Sequence, residues 1–423
     1  MNRRPPPPSR RPSSPRVSKR PRAELLEQRP LDVPENGVIS VMEVRAPTFH
    51  PFLFRRRLGE FPGRAAPGDI VRLESSGREH LGWGLFNPHA EIAVRTLTPQ
   101  REMPQSAWWQ ERIASAVALR RDLLKLDAVS DAYRIIHAEG DGLSGLVVDK
   151  FGEVLVLEAF SLGMYQRAEA LLDLMNPLCG TSHAVLRCAP MSEEHEGFTA
   201  DPIGSENVPP KTTIQEFGTQ FKIDFAGGHK TGFYCDQRDN RKRLAELSAG
   251  KSVLDVCSYT GGFAIQAKVL GQAAEVTGVE LDESACELAR ENARINKAKV
   301  QFVQGDGFPY LRDMHRNGRK YDVIILDPPK LIRHRDEIED AKTKYFDFNR
   351  LAIKLVAPGG VFLTCSCSGM LEVGEFTQLV TAAANAEQRR IQIFARGGAA
   401  ADHPIAGNCP ESEYLKTLWV RVE

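Results

Sequence analysis

Apolar and polar residues alternate over much of the first hundred positions, whereas the second half of the chain carries short, nearly solid apolar runs. Alternation is typical of half-buried strands, and solid runs bounded by turn residues are typical of strands buried on both faces. The runs VISVMEV, DIVRLES, HLGWGLF and EIAVRTL, all within residues 37–97, predict a small all-β unit. The arginines of FRRRLGEF are expected in a loop or helical turn between its strands, either as an RNA contact or as ordinary solvated surface.

A second unit is predicted to follow. Helical apolar spacing over residues 106–126 indicates a linking helix. The next positions predict a hairpin around an Asp-Gly turn, a further alternating strand and an amphipathic helix, over residues 133–149, 154–160 and 165–175. Polar, Pro-containing sequence over residues 190–211 then predicts a boundary before the last unit.

The most informative stretch is Ser252–Phe263, SVLDVCSYTGGF. Val253–Val256 predicts a strand, and a helix is expected to open directly after the glycine turn, from Phe263 to Leu270. In an open α/β sheet a ligand binds at the carboxyl end of such a strand. Gly261 and Gly262 would let the backbone lie against a nucleotide-like ligand, which a Cβ would prevent.

An acid ends each of four successive predicted strands: Asp255, Glu280, Asp306 and Asp327. One such acid is no more than a solvated strand end or a helix cap, but four together indicate a binding site. Glu280 stands about 20 residues after the glycines, which suits hydrogen bonds from ribose hydroxyls. A dinucleotide dehydrogenase would carry G-x-G-x-x-G for its pyrophosphate, whereas this loop has only two adjacent glycines. A donor without phosphate, such as S-adenosylmethionine, fits the loop better.

The residues after the later strands bear on which atom receives a methyl group. Enzymes that methylate an exocyclic amine commonly place an aromatic after Asp-Pro-Pro to stack on the base, and Lys330 stands there instead. Carbon 5 of cytosine requires a thiolate to add at carbon 6, with Asp327 expected near nitrogen 3 and the exocyclic amine. Cys365 and Cys367 follow the predicted strand Val361–Thr364 and share one side of it, so the pattern does not choose between them.

The segment GFYCDQRDNR, residues 232–241, precedes these strands. Asp236 is expected to cap a helix that carries several basic residues. Gly232-Phe233-Tyr234 is either a stacking surface for an adenine or a base, or a buried aromatic beside a capped surface helix. Gln237 and Arg238 are expected to contact the methyl donor or an RNA phosphate.

Composition narrows the class of protein. The 423 residues predict two or three domains, and 55 basic against 55 acidic residues exclude binding of nucleic acid by bulk charge alone. No apolar run approaches the roughly 18 residues of a membrane span, so a soluble, cytoplasmic protein without a membrane partner is expected. The eight cysteines include no C-x-x-C, which disfavours structural zinc and disulfides, and no metal is predicted. Residues 1–23 hold no acid and predict a disordered basic tail, either a phosphate-seeking arm or a dispensable extension.

Five segments resemble the RlmI-type family of 23S ribosomal RNA cytosine-5 methyltransferases: HKTGFYCDQRDNR, SYTGGF, LDPPK, SCSG and the late DHP and YLK within residues 402–416. The resemblance implies an α/β architecture in three parts after a tail over residues 1–36. An all-β, PUA-like RNA-binding domain would span residues 37–105 and a small α+β middle domain residues 106–212. A class I, Rossmann-like methyltransferase domain would span residues 213–423.

The resemblance also implies the site. Cys367 falls on the family's nucleophile, Cys365 is additional, and Asp327 lies beside the base. The S-adenosylmethionine site would comprise, besides Asp327, these residues: Gln237, Arg238, Ser258, Tyr259, Thr260, Gly261, Glu280, Asp306, with the adenine, and Gly307. The partner would be ribosomal RNA with its target base flipped or single-stranded, and the oligomeric state stays open, with a homodimer as one candidate. Two alternatives remain: an RNA methyltransferase acting on a base nitrogen, and an RNA-binding assembly protein with a vestigial donor site.

Overall fold

The computed structural model describes residues 22–34, 37–225, 232–332 and 334–423. Their strands form two five-stranded sheets, one two-stranded ribbon and one seven-stranded sheet. The predicted basic tail up to residue 21 and the motif residues 229–231 lie outside the described residues.

The segment before the first sheet packs against the protein, although the sequence placed it in a disordered tail ending at residue 36. It begins with helix α1 (Arg22–Leu25). The side-chain amide of Gln28 donates to the backbone oxygen of Tyr165 at 2.9 Å, and Leu31 is 6% exposed. The predicted boundary is therefore wrong for this segment, because Leu31 and its apolar neighbours join the core of the middle unit.

The N-terminal unit is all-β, as the alternating runs predict. Its strands are β1 (Val41–Val44), β2 (Phe52–Phe54), β3 (Ile70–Ser75), β4 (His80–Phe86) and β5 (Ile92–Thr98). They lie in the order β1-β3-β4-β5-β2, and a single 3-10 turn, Arg55–Arg57, follows β2. Val44 and Leu53 lie in the sheet's own core, whereas Trp83 and Leu85 of β4 join the core of the middle unit.

The middle unit is a mixed sheet with helices. Its elements are α2 (Ser106–Ala118), β6 (Ala132–His137), β7 (Leu146–Phe151), β8 (Val154–Ala159), α3 (Leu162–Tyr165), α4 (Ala168–Cys179), β9 (His183–Cys188), α5 (Ser192–Glu196) and β10 (Ile203–Gly204). The strands lie in the order β10-β9-β8-β7-β6. Trp109 of α2 is fully buried, so the predicted linking helix is part of the core rather than a spacer.

The ribbon β11 (Lys211–Glu216) and β12 (Thr219–Asp224) leads into the C-terminal unit. The helices of that unit are α6 (Arg238–Glu246), α7 (Gly262–Val269), α8 (Glu283–Ile295), α9 (Gly307–Arg316), α10 (Ile338–Leu355) and α11 (Val373–Ala386). Its strands are β13 (Ser252–Val256), β14 (Glu275–Glu280), β15 (Gln301–Gln304), β16 (Tyr321–Leu326), β17 (Val356–Ser366), β18 (Ile391–Gly397) and β19 (Lys416–Val422).

The seven strands lie in the order β15-β14-β13-β16-β17-β19-β18, and β13 to β17 are parallel. The last residues of the chain, EYLKTLWVRVE, alternate between polar and apolar and predict an antiparallel strand at the edge of the sheet. The strand they form, β19, is antiparallel, but it lies between β17 and β18, so β18 is the edge. Leu418, Trp419 and Val420 bury both faces of β19, whereas β18 is half-exposed along its length, which suits a sheet edge.

Helices cover both faces of this sheet, which explains the solid apolar runs. Val253 and Ile325 pack with α6, α7 and α8, whereas Leu254 and Ile324 pack with α9, α10 and α11. The carboxyl ends of five parallel strands therefore meet along one edge, where a ligand binds in such sheets. In the described part of the chain, we find no helix with the length and hydropathy needed to cross a bilayer.

Candidate active site

The loop after β13 is tightly wound. Cys257, Tyr259 and Gly261 all have positive φ, at 64°, 47° and 85°. The amide of Gly261 donates to the oxygen of Ser258 at 2.8 Å, which closes the turn. A Cβ on Gly261 would lie 2.7 Å from the ring of Phe302, so only glycine fits there. The loop is thus shaped to carry backbone amides close to a ligand.

Two acids hold this loop in place. Glu280 accepts hydrogen bonds from the amides of Tyr259 at 2.7 Å and of Asp282 at 2.9 Å. Asp255 accepts from the amide of Ala264 through Oδ2 at 3.0 Å. Burial, with smaller contributions from Asp327 and Glu280, raises the pKa of Asp255 to about 8. The carboxyl groups of Asp255 and Glu280 therefore fix the loop as well as line it.

The loop also contains buried polar atoms that bond to no described residue. Oδ1 of Asp255 and Oγ of Ser258 are buried without a hydrogen-bond partner. Buried polar atoms are nearly always hydrogen-bonded in folded proteins, so unsatisfied ones at a strand end indicate a ligand site. Thr260 is also buried, and its backbone oxygen accepts from Nδ2 of Asn292 at 3.1 Å.

Asp306 and Gly307 follow β15. Asp306 is exposed and accepts from the amide of Phe308 at 2.8 Å, so it caps α9. The ring of Phe308 stacks on that of Phe348 with centroids 3.8 Å apart. Gly307 is buried, and a Cβ there would lie 2.9 Å from Cγ1 of Val256. Asp306 thus caps α9, and its exposed carboxylate remains accessible to a ligand.

Asp327 is joined to the segment before α6. Nε2 of Gln237 donates to Oδ2 of Asp327 at 2.9 Å, and Nδ2 of Asn240 donates to Oε1 of Gln237 at 2.7 Å. Gln237 is 3% exposed, so this chain of hydrogen bonds is shielded from water. The amide of Asp327 donates to the oxygen of Val256, which ties the acid to the end of β13.

The two cysteines after β17 differ in exposure. Cys365 is fully buried, and burial, followed by the charge of Asp327, raises its pKa well above the ordinary value. Cys367 is half-buried at the strand end. Both pack on the side of the sheet that carries α6 and α7, so they share one side as the pattern predicts.

The serines on either side of Cys367 point to the other side of the sheet. Oγ of Ser366 and Oγ of Ser368 both lie 3.0 Å from the hydroxyl of Tyr345 on α10. All three are fully buried. Tyr345 therefore anchors the loop from that side, while Cys367 packs on the side of the sheet that carries α6 and α7. No sequence pattern indicates this role of Tyr345, which occupies an ordinary apolar position of a helix.

Arg238 forms a buried ion pair. It is 1% exposed and forms a paired contact with Asp402, at 2.9 Å and 3.1 Å. The expectation that it contacts the donor or an RNA phosphate is therefore wrong, because its guanidinium is committed to a buried carboxylate. Asp402 also accepts from the amide of Arg134 at 2.8 Å, so this pair joins the middle and C-terminal units.

The residues just before α6 differ in part from expectation. Asp236 accepts from the hydroxyl of Tyr414 at 2.5 Å, and α6 begins after Gln237 without a side-chain cap, so the predicted capping role is wrong. Phe233 is core, packed on Phe221. Tyr234 is half-buried at the site, edge-to-face with Tyr259 at 5.0 Å, and burial raises its pKa above the ordinary value.

One mixed cluster lies outside this edge. His50, Cys409 and Glu411 bring one ligand atom each within 4.8 Å of one another. Nδ1 of His50 accepts from the amide of Phe52 at 3.0 Å, so the proton of a neutral ring is on Nε2, which donates to Glu411 at 3.0 Å. The nitrogen facing the cluster is therefore a donor, and the arrangement is a hydrogen-bonded contact between the N-terminal and C-terminal units.

Known proteins match this chain along most of its length. Residues 200–390 match the family model of S-adenosylmethionine-dependent methyltransferases, and residues 43–99 match the PUA-like domain. The chain is 37% identical over 383 residues to ribosomal RNA large subunit methyltransferase I of Klebsiella pneumoniae subsp. pneumoniae, covering 88% of this chain and 94% of that protein. A protein of the same name from Aliivibrio fischeri is 35% identical over 379 residues, covering 88% and 95%.

Solved structures share the fold. SMU.776, described as a methyltransferase and crystallised with SAH, superimposes with a TM-score of 0.77 at 20% sequence identity, covering 90% of this chain and 100% of that chain. The sheet, the glycine loop and the matched regions define the class: the protein is an S-adenosylmethionine-dependent methyltransferase with an N-terminal PUA-like domain. Sequence identities of 37% and 35% along most of the chain identify the family within this class. The chain belongs to the ribosomal RNA large subunit methyltransferase I family, so the expected family, fold class and cofactor are confirmed.

Proposed function

We propose that the protein methylates carbon 5 of a cytosine in large-subunit ribosomal RNA, through a covalent adduct with Cys367. The names of the relatives support ribosomal RNA as the substrate. The choice of carbon 5 and of the nucleophile rests on the thiol of Cys367. This thiol is half-buried and packs on the side of the sheet that carries α6, next to which Gln237 donates a hydrogen bond to Asp327. We propose the cytoplasm as the location of this reaction, because ribosomal RNA is the proposed substrate.

The residues of the glycine loop fit S-adenosylmethionine. The unsatisfied Oδ1 of Asp255 and Oγ of Ser258 need polar partners, which a donor rich in hydroxyl and amino groups provides. Glu280 keeps acceptor capacity for ribose hydroxyls because each of its oxygens has a second lone pair. The donor site we propose comprises Gln237, Ser258, Tyr259, Thr260, Gly261, Glu280, Asp306, Gly307 and Asp327. Bound there, S-adenosylmethionine supplies an electrophilic methyl group.

The protein's own residues supply the activation. Carbon 5 of cytosine is a weak nucleophile, so the thiolate of Cys367 adds to carbon 6, and the electrons of the carbon 5–carbon 6 double bond become available at carbon 5. Nitrogen 3 takes a proton from water as the thiolate adds and returns it to water when the thiolate leaves. Asp327, held by Gln237, accepts hydrogen bonds from the exocyclic amine and from protonated nitrogen 3 in the adduct. After carbon 5 has taken the methyl group, its proton passes to water. The electron pair restores the double bond, and the sulfur–carbon 6 bond breaks to return the thiolate.

Cys365 is an unsuitable nucleophile. Its side chain is 0% exposed, and burial keeps its pKa well above the ordinary range, so it stays a protonated thiol. A base would have to enter the core between β17 and α6 to reach it. We therefore assign the attack to Cys367 and give Cys365 a packing role.

Methylation of large-subunit ribosomal RNA from cells that lack this protein tests the proposal. With labelled donor and nucleoside analysis, the wild-type protein should produce 5-methylcytidine. Cys367→Ala should abolish it, whereas Cys365→Ala should retain it, with the buried thiol variant Cys286→Ala on α8 as the matched control. A methylated base nitrogen, made equally well by Cys367→Ala, would favour the nitrogen alternative. A folded protein that binds no S-adenosylmethionine in calorimetry would favour the assembly-protein alternative.

A further inference from the structure

Lys416 is a buried lysine directly beneath the cysteine loop. It opens β19, where it pairs with Ser366 of β17, and its side chain is 5% exposed. Nζ donates to the backbone oxygen of Ser368 at 2.6 Å and to that of Tyr414 at 3.0 Å. The first of these oxygens belongs to the residue that follows Cys367, so the ammonium lies against the loop that carries the thiol.

The charge of Lys416 has no carboxylate partner within ion-pair distance among the described residues. Within the described part of the chain, Nζ of Lys416 donates its hydrogen bonds to two neutral backbone oxygens. A buried ammonium without a counter-charge is costly, so a nearby group that can become an anion is stabilised as one. Burial lowers the pKa of Lys416, and the largest effect in the opposite direction comes from Cys367.

Other titratable groups surround this pair. They are Asp327, Tyr234, Tyr345, Glu372, Glu413 and Lys330. The acids disfavour a second negative charge at Cys367, and the neighbouring Cys365 thiol stays protonated. Lys330 is exposed, so solvent screens its charge. Of these two cations in the described part of the chain, Lys416 is the buried one, so solvent screens its effect on the thiol less.

We propose that the ammonium of Lys416 is the counter-charge that stabilises the thiolate of Cys367, which makes Lys416 a positioning residue for the methyl transfer proposed above. The thiolate is the nucleophilic form of cysteine, so its fraction at neutral pH sets how much protein can attack carbon 6. The same charge stabilises the sulfur again when the adduct breaks. Because Nζ donates to the backbone oxygens of both Ser368 and Tyr414, the position of the ammonium relative to the loop of Cys367 is fixed.

Alkylation of Cys367 by iodoacetamide, followed from pH 6 to 10 and located by peptide mass spectrometry, tests this without RNA or donor. In the wild-type protein the rate should reach half its limit below the ordinary thiol pKa of about 8.5. Lys416→Met keeps the length of the side chain and removes its charge. At pH 7 it should slow alkylation at least about tenfold, with an unchanged limiting rate at high pH, because one pKa unit is a factor of ten in thiolate.

Two further variants separate charge from structure. Lys416→Arg keeps the charge and donors and should retain the wild-type pH profile, whereas Lys330→Met should change the rate at pH 7 by less than about twofold. A merely structural Lys416 would alter the limiting rate of Lys416→Met without moving its half-point. If Lys416→Met does not fold, the wild-type and Lys416→Arg profiles still decide.

The proposal is overturned by a wild-type half-point at or above 8.5, or by an unmoved half-point in folded Lys416→Met. Failure of the proposed function would be seen elsewhere, as wild-type protein that makes no 5-methylcytidine. The alkylation profiles would then still report whether Lys416 controls the thiol, because they need neither substrate nor turnover.

Discussion

Gln237 donates a hydrogen bond of 2.9 Å from Nε2 to Oδ2 of Asp327, across 90 positions of the sequence. It joins the segment before α6 to the end of β16 and orients the carboxylate that faces the proposed base. Because Asn240 holds the other end of the amide, Asp327 has a defined orientation before any ligand binds.

Gln237→Leu should reduce methyl transfer about tenfold while the protein remains folded. The substitution keeps the approximate volume and removes a hydrogen bond to a charged group, which contributes about 1.5–3 kcal/mol. Single-turnover methylation measures the effect. Gln378→Leu, on the exposed face of α11, is the matched control and should match the wild-type rate. Equal rates for both variants would mean that Asp327 needs no partner.

Tyr345→Phe should lower the free energy of unfolding by about 1–3 kcal/mol, because two buried serine hydroxyls lose their shared partner. It should also slow the attack of Cys367, since Ser366 and Ser368 are the residues on either side of it. Urea denaturation and single-turnover rates measure the two effects. Tyr165→Phe is the control, because Tyr165 is also buried and its hydroxyl forms no hydrogen bond within the described part of the chain. An unfolding energy lowered equally in both variants would contradict the anchoring role.

Arg238→Met should destabilise the protein by about 3–5 kcal/mol, because it leaves the buried carboxylate of Asp402 without its guanidinium partner. It should leave the dissociation constant for S-adenosylmethionine within about twofold of the wild-type value in calorimetry. A large loss of donor affinity in the folded variant would restore the original expectation that Arg238 binds the donor.

The same pair predicts acid sensitivity. His403 and Arg238 hold the pKa of Asp402 far below its ordinary value, against the effect of burial. A depressed pKa in the folded state stabilises the protein above the unfolded pKa of about 4, and that stabilisation is lost as pH falls below it. Unfolding energies from pH 7 to 3 should therefore fall more steeply in the wild-type protein than in Asp402→Asn. Parallel curves would contradict this.

Asp255 predicts the opposite dependence. Its pKa is raised to about 8 in the folded state, chiefly by burial. The folded protein then binds more protons than the unfolded chain between pH 4 and 8, so this contribution to stability declines as pH rises through that range. Asp255→Asn should remove the decline and stabilise the free protein at pH 8 by more than about 1 kcal/mol. An unchanged free energy of unfolding for Asp255→Asn at pH 8 would contradict the raised pKa of Asp255.

Much of the C-terminal unit could be predicted because local sequence encodes it. The strands β13 and β16 carry short apolar runs that end at turn residues, and the geometry of a parallel sheet brings the acids at its strand ends to one edge. The common side of Cys365 and Cys367 follows from the two-residue period of a strand. The place of β19 between two strands was missed, since alternation alone does not show which neighbours a strand has.

The parts that failed depend on distant partners. Arg238 meets Asp402, 164 positions away, and no local pattern distinguishes a buried ion pair from a phosphate contact. Tyr345 meets Ser366 at a separation of 21. Tertiary packing decided both of these roles. The cap that Asp306 makes on α9 does not remove it from the proposed donor site, because its carboxylate is exposed.

The most direct test of the central claim is to trap the adduct between Cys367 and the base. In ribosomal RNA containing 5-fluorocytidine, carbon 5 has no proton to lose after methyl transfer, so the sulfur–carbon 6 bond should persist. Peptide mapping by mass spectrometry should find a methylated 5-fluorocytidine on Cys367 and none on Cys365. Efficient methylation of unmodified RNA with no adduct on Cys367, or an adduct on Cys365, would contradict the proposed mechanism.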